Sequence, residues 1–439
     1  MDEDRIRIWP KTRTHWQYKN KPVLLLGGSD EDNLFNHPNL WANLDALRQI
    51  GGNYVRMTLS SRDPGNVWPY EKVAGKYDLN QFNAEWWDRL RQCIEMAQQR
   101  DIIVQIEFWA TFDFYRDCWL ENPFNPALNG NYTADNTKLA PEWPHHPARK
   151  PQPFFHSVPE LNNDIALLDH QKKFVRNVLE VTLPFENVLY CLDNETATPP
   201  QWAWYWAAFI RKEAADRGTH IELTEMWDSH DITHDQHKAT FDRPDLFSFA
   251  DVSQNNWQDG RTHYDNLMAV RSYLAEREAG PCPMNNVKVY ARLHAGGEDY
   301  DVGLDRWWQN VFAGCASTRF HRPPSGSGLD QVAQQAIHAA RVLTDAFDVF
   351  ACRPRPDLLA EAEPDEIYCL AEPAVAYAVY FSKGGSASVR TTGRTAWRVR
   401  WLDPRTGQFG VSETTQADAG LVKLAAPDDR PWTVLVYQP

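Results

Sequence analysis

Short β-rich runs alternate with amphipathic helical stretches over the first ~350 residues, and this alternation is the strongest pattern in the chain. The first run is Val23-Leu24-Leu25-Leu26-Gly27-Gly28. Leu40, Leu44 and Leu47 then recur three and four apart ahead of Gly51, which predicts a helix over 40–50. A strand over 53–59, a helix over 84–99 and a strand over 102–108 follow. Beyond a long Pro- and Trp-rich insertion come helix 166–183, strand 188–193, helix 201–217, strand 221–226 and a short helix near 237–241. Strand 247–253, helix 264–277, strand 287–293, helix 304–312, strand 316–320 and helix 329–350 complete the series. Eight β-then-α units read as a (β/α)8 TIM barrel, with the extra length in the βα loops. A doubly wound sheet is the rival. It calls for a Gly-rich phosphate turn after the first strand, whereas Gly27-Gly28-Ser29 runs into Asp30, Glu31 and Asp32, which would repel a phosphate.

The pattern changes after Cys352-Arg353-Pro354-Arg355-Pro356. From Glu366 onward short alternating strands are predicted over 367–370, 376–381, 387–390, 397–402, 421–424 and 432–437. Turn signals such as Lys383-Gly384-Gly385 separate them. The expectation is a barrel domain over 1–352 and a small antiparallel β-sandwich over 353–439.

Composition narrows the function classes. With 45 basic and 59 acidic side chains the net charge is −14, which argues against binding to nucleic acid or an anionic membrane surface. No apolar stretch is long enough for a membrane span, and the charged start Met1-Asp2-Glu3-Asp4-Arg5 lacks a following apolar core. The chain as written is therefore expected to be soluble without an export signal; a signal cleaved earlier would leave the same start. Its seven scattered Cys form no C-x-x-C pair, so neither a zinc ribbon nor a disulfide framework is expected. Nineteen Trp are many, and indole faces suit sugar rings, although core packing accounts for most Trp in any fold.

In this architecture the strand ends carry the chemistry. They supply Asp30, Arg56, Glu107 with Trp109, Asn194-Glu195, Glu225 with Trp227 and Asp228, Lys288, Tyr290, Arg292 and His294, and Arg319, His321 and Arg322. Asn194-Glu195 at the end of the fourth strand is the most informative pair. A glutamate there matches the acid/base position of the large retaining glycosidase clan, in which the acid protonates the leaving oxygen and the Asn bonds the sugar 2-hydroxyl. The plain alternative is a carboxylate placed to complement a helix N-terminus.

Leu26-Gly27-Gly28-Ser29-Asp30, Asn53-Tyr54-Val55-Arg56, Asn194-Glu195 and the turn Trp401-Leu402-Asp403-Pro404-Arg405-Thr406-Gly407 together resemble the DUF4038-type, apiosidase-like glycoside hydrolases, whose C-terminal module is named for collagen binding. The resemblance implies a retaining hydrolase with a nucleophilic glutamate near the end of strand seven. Here strand seven reads Asn286-Val287-Lys288-Val289-Tyr290-Ala291-Arg292-Leu293-His294, with no carboxylate. Three readings compete: Glu225 on the neighbouring strand as partner, Glu298 or Asp299 reaching back from the loop, or a site that has lost hydrolysis or does other chemistry.

The remaining expectations follow from residue types. Glu195 is the expected acid/base and Glu225 its partner. Asp30, Arg56, Trp109, Asn194, Trp227, Tyr290, Arg292, His294, Arg319 and His321 are the expected sugar-binding set. Lys288, Arg292, Arg319, His321 and Arg322 form a cationic edge that either reads an acidic sugar or pairs internally with the site's carboxylates. Trp119 and Trp143 of the insertion are further candidate platforms. His145-His146 lacks the partner spacing of a metal site, and no organic cofactor is implied. The expected function is glycoside hydrolysis on a carbohydrate substrate. A silent carbohydrate-binding barrel and a lyase using Tyr290 or His294 as base are the alternatives.

Overall fold

The computed structural model describes residues 3–291, 300–393 and 395–438. Eight parallel strands form the barrel wall: β1 (Leu25–Gly28), β2 (Tyr54–Thr58), β3 (Ile103–Ala110), β4 (Val188–Asn194), β5 (Leu223–Thr224), β6 (Ala250–Asp251), β7 (Met284–Val289) and β8 (Ser317–Phe320). Their order around the wall is β5-β4-β3-β2-β1-β8-β7-β6. The seam between β5 and β6 is spanned by Ser248 N–H donating to the Leu223 carbonyl at 2.9 Å. One helix follows each strand: α1 (Leu40–Gln49), α2 (Ala84–Gln98), α3 (Ile165–Thr182), α4 (Pro200–Asp216), α5 (Asp235–Phe241), α6 (Gly260–Glu276), α7 (Tyr300–Phe312) and α8 (Gln331–Ala346). The molecule is thus a (β/α)8 barrel with C-terminal antiparallel sheets.

The Gly pair of β1 serves packing. A Cβ on Gly27 would lie 1.8 Å from the Tyr54 carbonyl oxygen, and one on Gly28 2.2 Å from that of Gly328. Only glycine lets β1 approach both neighbours.

Below the site the barrel interior is closed by a small antiparallel sheet, Arg7–Ile8, Trp16–Tyr18 and Lys21–Val23, that the sequence pattern does not reveal. Ile6, Trp16 and Tyr18 pack there with Leu25, Tyr54, Ile103, Leu189, Phe249 and Val287. Trp16 Nε1 donates to Asn285 Oδ1 at 3.0 Å, and Tyr54 OH to Gln105 Oε1 at 2.6 Å. The bottom is therefore plugged, which leaves the C-terminal strand ends as the open face.

The sandwich pairs a six-stranded sheet with a three-stranded one. Its strand Ile367–Glu372 alternates sides: Ile367, Cys369 and Ala371 face the small sheet, while Tyr368 and Leu370 join the barrel core. Ala378 and Tyr380 do the same on Ala376–Phe381, whose pattern accordingly reads as continuously apolar. The seven Cys are all free thiols. Among the described residues no helix is long and apolar enough to cross a membrane.

Candidate active site

Arg56, on β2, is fully enclosed and organises the mouth of the barrel. Its Nε donates to Glu107 Oε1 at 2.7 Å, and one terminal nitrogen donates to Asp32 Oδ1 at 2.7 Å. The other donates to Glu107 Oε2 and to Asn194 Oδ1, the latter at 2.7 Å. A buried guanidinium needs this many acceptors, since each unpaired donor would cost desolvation free energy. Glu107 is thereby a structural partner of Arg56.

β4 ends at Asn194, and Glu195 follows with φ +60°. A non-glycine residue in the left-handed region is strained, and such strain collects where a side chain must be aimed. The turn delivers the Glu195 carboxylate to Lys288 of β7, whose Nζ lies 2.5 Å from both Glu195 Oε1 and Asn194 Oδ1. Lys288 is 2% exposed and Glu195 12%, so the pair sits just inside the mouth. Burial alone would raise the Glu195 pKa. The charge and hydrogen bond of Lys288, with help from the Gln254 amide and Arg56, outweigh burial and hold it below the ordinary glutamate value.

Asp228, on the loop after β5, behaves oppositely. Burial and then the negative charge of Glu195 push its pKa up to about 6, against the opposing pull of Lys288. Its backbone N–H donates to the Thr196 carbonyl at 2.8 Å, which ties it to the segment after Glu195. The mouth therefore holds two carboxyl groups with pKa values driven apart. Tyr115, His146, His230 and Tyr290 also feel the Glu195 charge. Burial first, then Glu195, raises the Tyr290 phenol far above its usual range.

Other sequence candidates lie deeper. Glu225 is 1% exposed, and its Oε1 accepts the backbone N–H groups of Asp193 (3.0 Å) and Met226 (2.8 Å). Asp193 in turn accepts Trp202 Nε1 of α4 at 2.9 Å. The two acids share a buried site beneath α4: burial raises Asp193 to about 7, and burial with the Asp193 charge raises Glu225 well above its usual value. Arg319 is fully enclosed and donates to the Val287 carbonyl at 2.8 Å and to Ser29 Oγ. Burial and then Arg56 lower its pKa to about 10. His321 is kept neutral by burial, reinforced by Lys288, Arg56 and Arg319, and its ring lies tilted against that of Tyr290, with centroids 5.2 Å apart. Asp30 Oδ1 accepts the Leu329 backbone N–H at 2.8 Å and so fixes the loop after β8. Arg292 and His294 lie outside the described residues, as do Glu298 and Asp299.

The Trp candidates are packing residues. Trp109 is 3% exposed, with ring centroids 4.8 Å from Trp206 and 5.3 Å from Trp202. Trp227 donates its indole N–H to Thr240 at 2.7 Å, and Trp119 donates to the Ala140 carbonyl at 2.8 Å. Trp143 is likewise buried, under Lys150. Aromatic rings do reach the surface at the mouth: Phe112 and Trp257 are 36% and 39% exposed. Neither stood out in the sequence, where no signal separates an exposed ring from a packed one.

Within the cationic edge, Lys288 and Arg322 pair internally with carboxylates, whereas Arg319 meets only the Val287 carbonyl and Ser29 Oγ. Asp32 receives Arg56, Arg62 at 3.0 Å and Arg322 at 2.7 Å, and Lys288 is held by Glu195. Burial would raise Asp32, but the guanidinium charges of Arg56, Arg62 and Arg322 outweigh it and hold Asp32 well below the usual carboxylate range. Among the described residues no cluster of three or more His, Cys, Asp or Glu forms a metal site.

No protein-family model and no curated protein sequence matches the chain. Solved structures do. A glycoside hydrolase family 5 protein from Bacteroides vulgatus ATCC 8482 is 12% identical, with 99% of this chain and 94% of that one covered at a TM-score of 0.67. A second glycoside hydrolase is 13% identical, covering 99% and 97% at 0.66. The α-amylase of Geobacillus thermoleovorans is 13% identical, covering 100% and 97% at 0.55. At these identities the likeness establishes the fold: the chain shares the barrel and C-terminal sheets of these glycoside hydrolases.

Proposed function

We propose that this protein is a glycoside hydrolase in which Glu195 and Asp228 form the working carboxyl pair. The observation that carries the reading is the placement of Glu195, gripped by Lys288 at 2.5 Å, at the open end of the barrel, with Asp228 tied by its backbone to Thr196, the residue after Glu195. Glycosidic cleavage needs one carboxylic acid to protonate the leaving oxygen and one carboxylate to attack the anomeric carbon or activate water. Asp228 near pKa 6 suits the acid role, and Glu195 suits the carboxylate role. This reverses the role that the strand-four position suggests for Glu195. The residues themselves are those of the cleft, and Asn194, fixed by Arg56 and Lys288, stands where a sugar hydroxyl would bind.

The lyase reading has less support. Elimination beside a uronate needs a base and a free cation to neutralise the carboxylate. Tyr290 is held protonated, and Lys288, the cation beside Glu195, is already paired with that carboxylate. A silent sugar-binding barrel is favoured by one feature, the Lys288–Glu195 ion pair, because it occupies the strand-seven side where a second acid is expected. Product chemistry separates these readings on a panel of neutral and acidic glycans. New reducing ends without an ultraviolet-absorbing double bond support hydrolysis; the double bond indicates elimination; binding without any product indicates the silent barrel.

A further inference from the structure

The loop after β3 brings two arginines without carboxylate partners to the flank of Glu195. Arg116 is exposed, with its guanidinium 5.1 Å from the centroid of the Tyr115 ring. Its backbone is held at φ +54°, and its N–H donates to the Trp143 carbonyl at 2.7 Å. That bond ties it to the segment 143–150, which carries His145, His146, Arg149 and Lys150 and no acid. The Tyr115 and His146 rings meet edge to face at 5.0 Å, and the Arg149 N–H donates to the His146 carbonyl at 2.8 Å. Both rings feel the Glu195 charge; Tyr115 also feels Asp228, and His146 also feels Arg116 and Arg149. A cavity of about 250 Å³ adjoins this stretch, lined by Pro147, Ala148 and Pro151 and by Ala197, Thr198 and Pro199, which follow closely on Glu195. Arg149 and Lys150 stand in the chain between Ala148 and Pro151, on the rim of that cavity. Among the described residues neither Arg116 nor Arg149 has a carboxylate within ion-pair distance, although Asp117, Glu121 and Glu142 lie on the same insertion. Arg56, Arg62, Lys288 and Arg322 of the mouth are all paired.

An anionic group brought beside an ionised Glu195 is repelled, so a site for charged sugars needs positive charge that is not already committed. Arginine supplies it well, because its planar fork meets a carboxylate or a sulfate with two parallel hydrogen bonds. We infer that Arg116 and Arg149 form an anion subsite on the β3-loop flank of Glu195, and that the substrate is a glycan carrying carboxylate or sulfate groups. The inference names a substrate class for the proposed glycosidase and rests on that reading, but ligand binding tests it separately from cleavage.

The experiment uses the full chain carrying Glu195→Gln, so that ligands survive and the change at residue 195 is common to every comparison. Calorimetric titration is run with hexagalacturonate, hexaguluronate and a κ-carrageenan hexasaccharide, each beside its carboxyl-reduced or desulfated counterpart, at low and high salt. At least one anionic hexasaccharide should bind about tenfold or more tighter than its neutral counterpart, and the advantage should shrink at high salt. The arm that shows the advantage separates carboxylate from sulfate. Arg116→Gln and Arg149→Gln should each weaken that anionic ligand about fivefold and leave its neutral counterpart unchanged, while Arg149→Lys, which keeps the charge and loses the fork, should retain part of the affinity. Neutral counterparts bound as tightly as the anionic glycans, Gln variants without effect on the anionic ligand, or no binding by any probe would each overturn the inference. Charge-dependent binding with no hydrolysis by the unsubstituted protein would contradict the proposed function and leave this inference standing. Hydrolysis of a neutral glycan, with neither Gln variant affecting any anionic ligand, would do the reverse.

Discussion

Lys288 sets the protonation of the site. Its ammonium group stabilises the Glu195 carboxylate and opposes the rise in Asp228. On the acid side, activity falls as Glu195 takes up a proton, which its lowered pKa moves to lower pH than for an ordinary glutamate. On the alkaline side, activity falls as Asp228 loses its proton, near pH 6. Lys288→Met removes the positive charge, so both pKa values rise and both limbs of the pH–rate profile should move to higher pH. A profile that keeps its limbs while only losing height would contradict this account. Asp228→Asn should cost about a hundredfold or more in kcat on substrates with poor leaving groups and far less on activated aryl glycosides, because only the former need an acid. Equal losses on both would remove Asp228 from the acid role. At this scale the sequence was legible where a motif has a fixed address, as with Asn194-Glu195. It was not legible where burial decides: Trp109 and Trp227 look like platforms until neighbouring rings cover them, while Phe112 and Trp257 look unremarkable. Asp228 was visible only as one of many rim acids, since nothing in a sequence shows which acid faces which.

The elements show the same division. The helices with recurring apolar residues at three and four, such as α1 and α2, fall within a residue or so of their predicted spans. The strands over 221–226 and 247–253 shrink to β5 and β6 of two residues each, because the wall is imperfectly paired at that seam. The N-terminal sheet and the hairpin Tyr70–Val73 with Lys76–Phe82 carry too few alternating positions to be seen in the pattern. Under α4, the Asp193–Glu225 pair makes a prediction for stability. The folded protein holds protons on carboxyls that the unfolded chain releases near pH 4, so folding must take up protons as pH rises and stability falls toward neutrality. Asp193→Asn keeps an acceptor for Trp202 and no longer ionises. It should raise the melting temperature at pH 8 and change it little at pH 5. A shift of the same size at both values would show that the pair does not titrate in this way.

The whole molecule behaves as a barrel fused to its sandwich. Tyr264 and Tyr368 meet at 4.3 Å, Trp308 and Tyr380 at 5.9 Å, and Gln309 Nε2 donates to Tyr368 OH at 3.1 Å. One apolar core runs through α6, α7 and the six-stranded sheet. The change in pattern after 352 therefore marks a change of architecture more clearly than a point where the chain could be cut. Tyr380→Ala removes a ring from this shared core and should cost about 3–5 kcal/mol. It should lower a single unfolding transition seen alike by near-ultraviolet and far-ultraviolet dichroism; two separate transitions, with only one displaced, would contradict the fusion. The net charge of −14 has little bearing on the floor of the mouth, where Arg56, Lys288 and Arg322 pair with Asp32, Glu107 and Glu195.

The central claim is that Glu195 performs glycosidic cleavage together with Asp228. The most direct test is the rate of reducing-end release from a cleavable glycan by the unsubstituted protein and by Glu195→Gln, with folding checked by the melting temperature of each. The account requires cleavage by the unsubstituted protein and a loss of about a thousandfold in the folded variant. Cleavage at an unchanged rate by folded Glu195→Gln would contradict it.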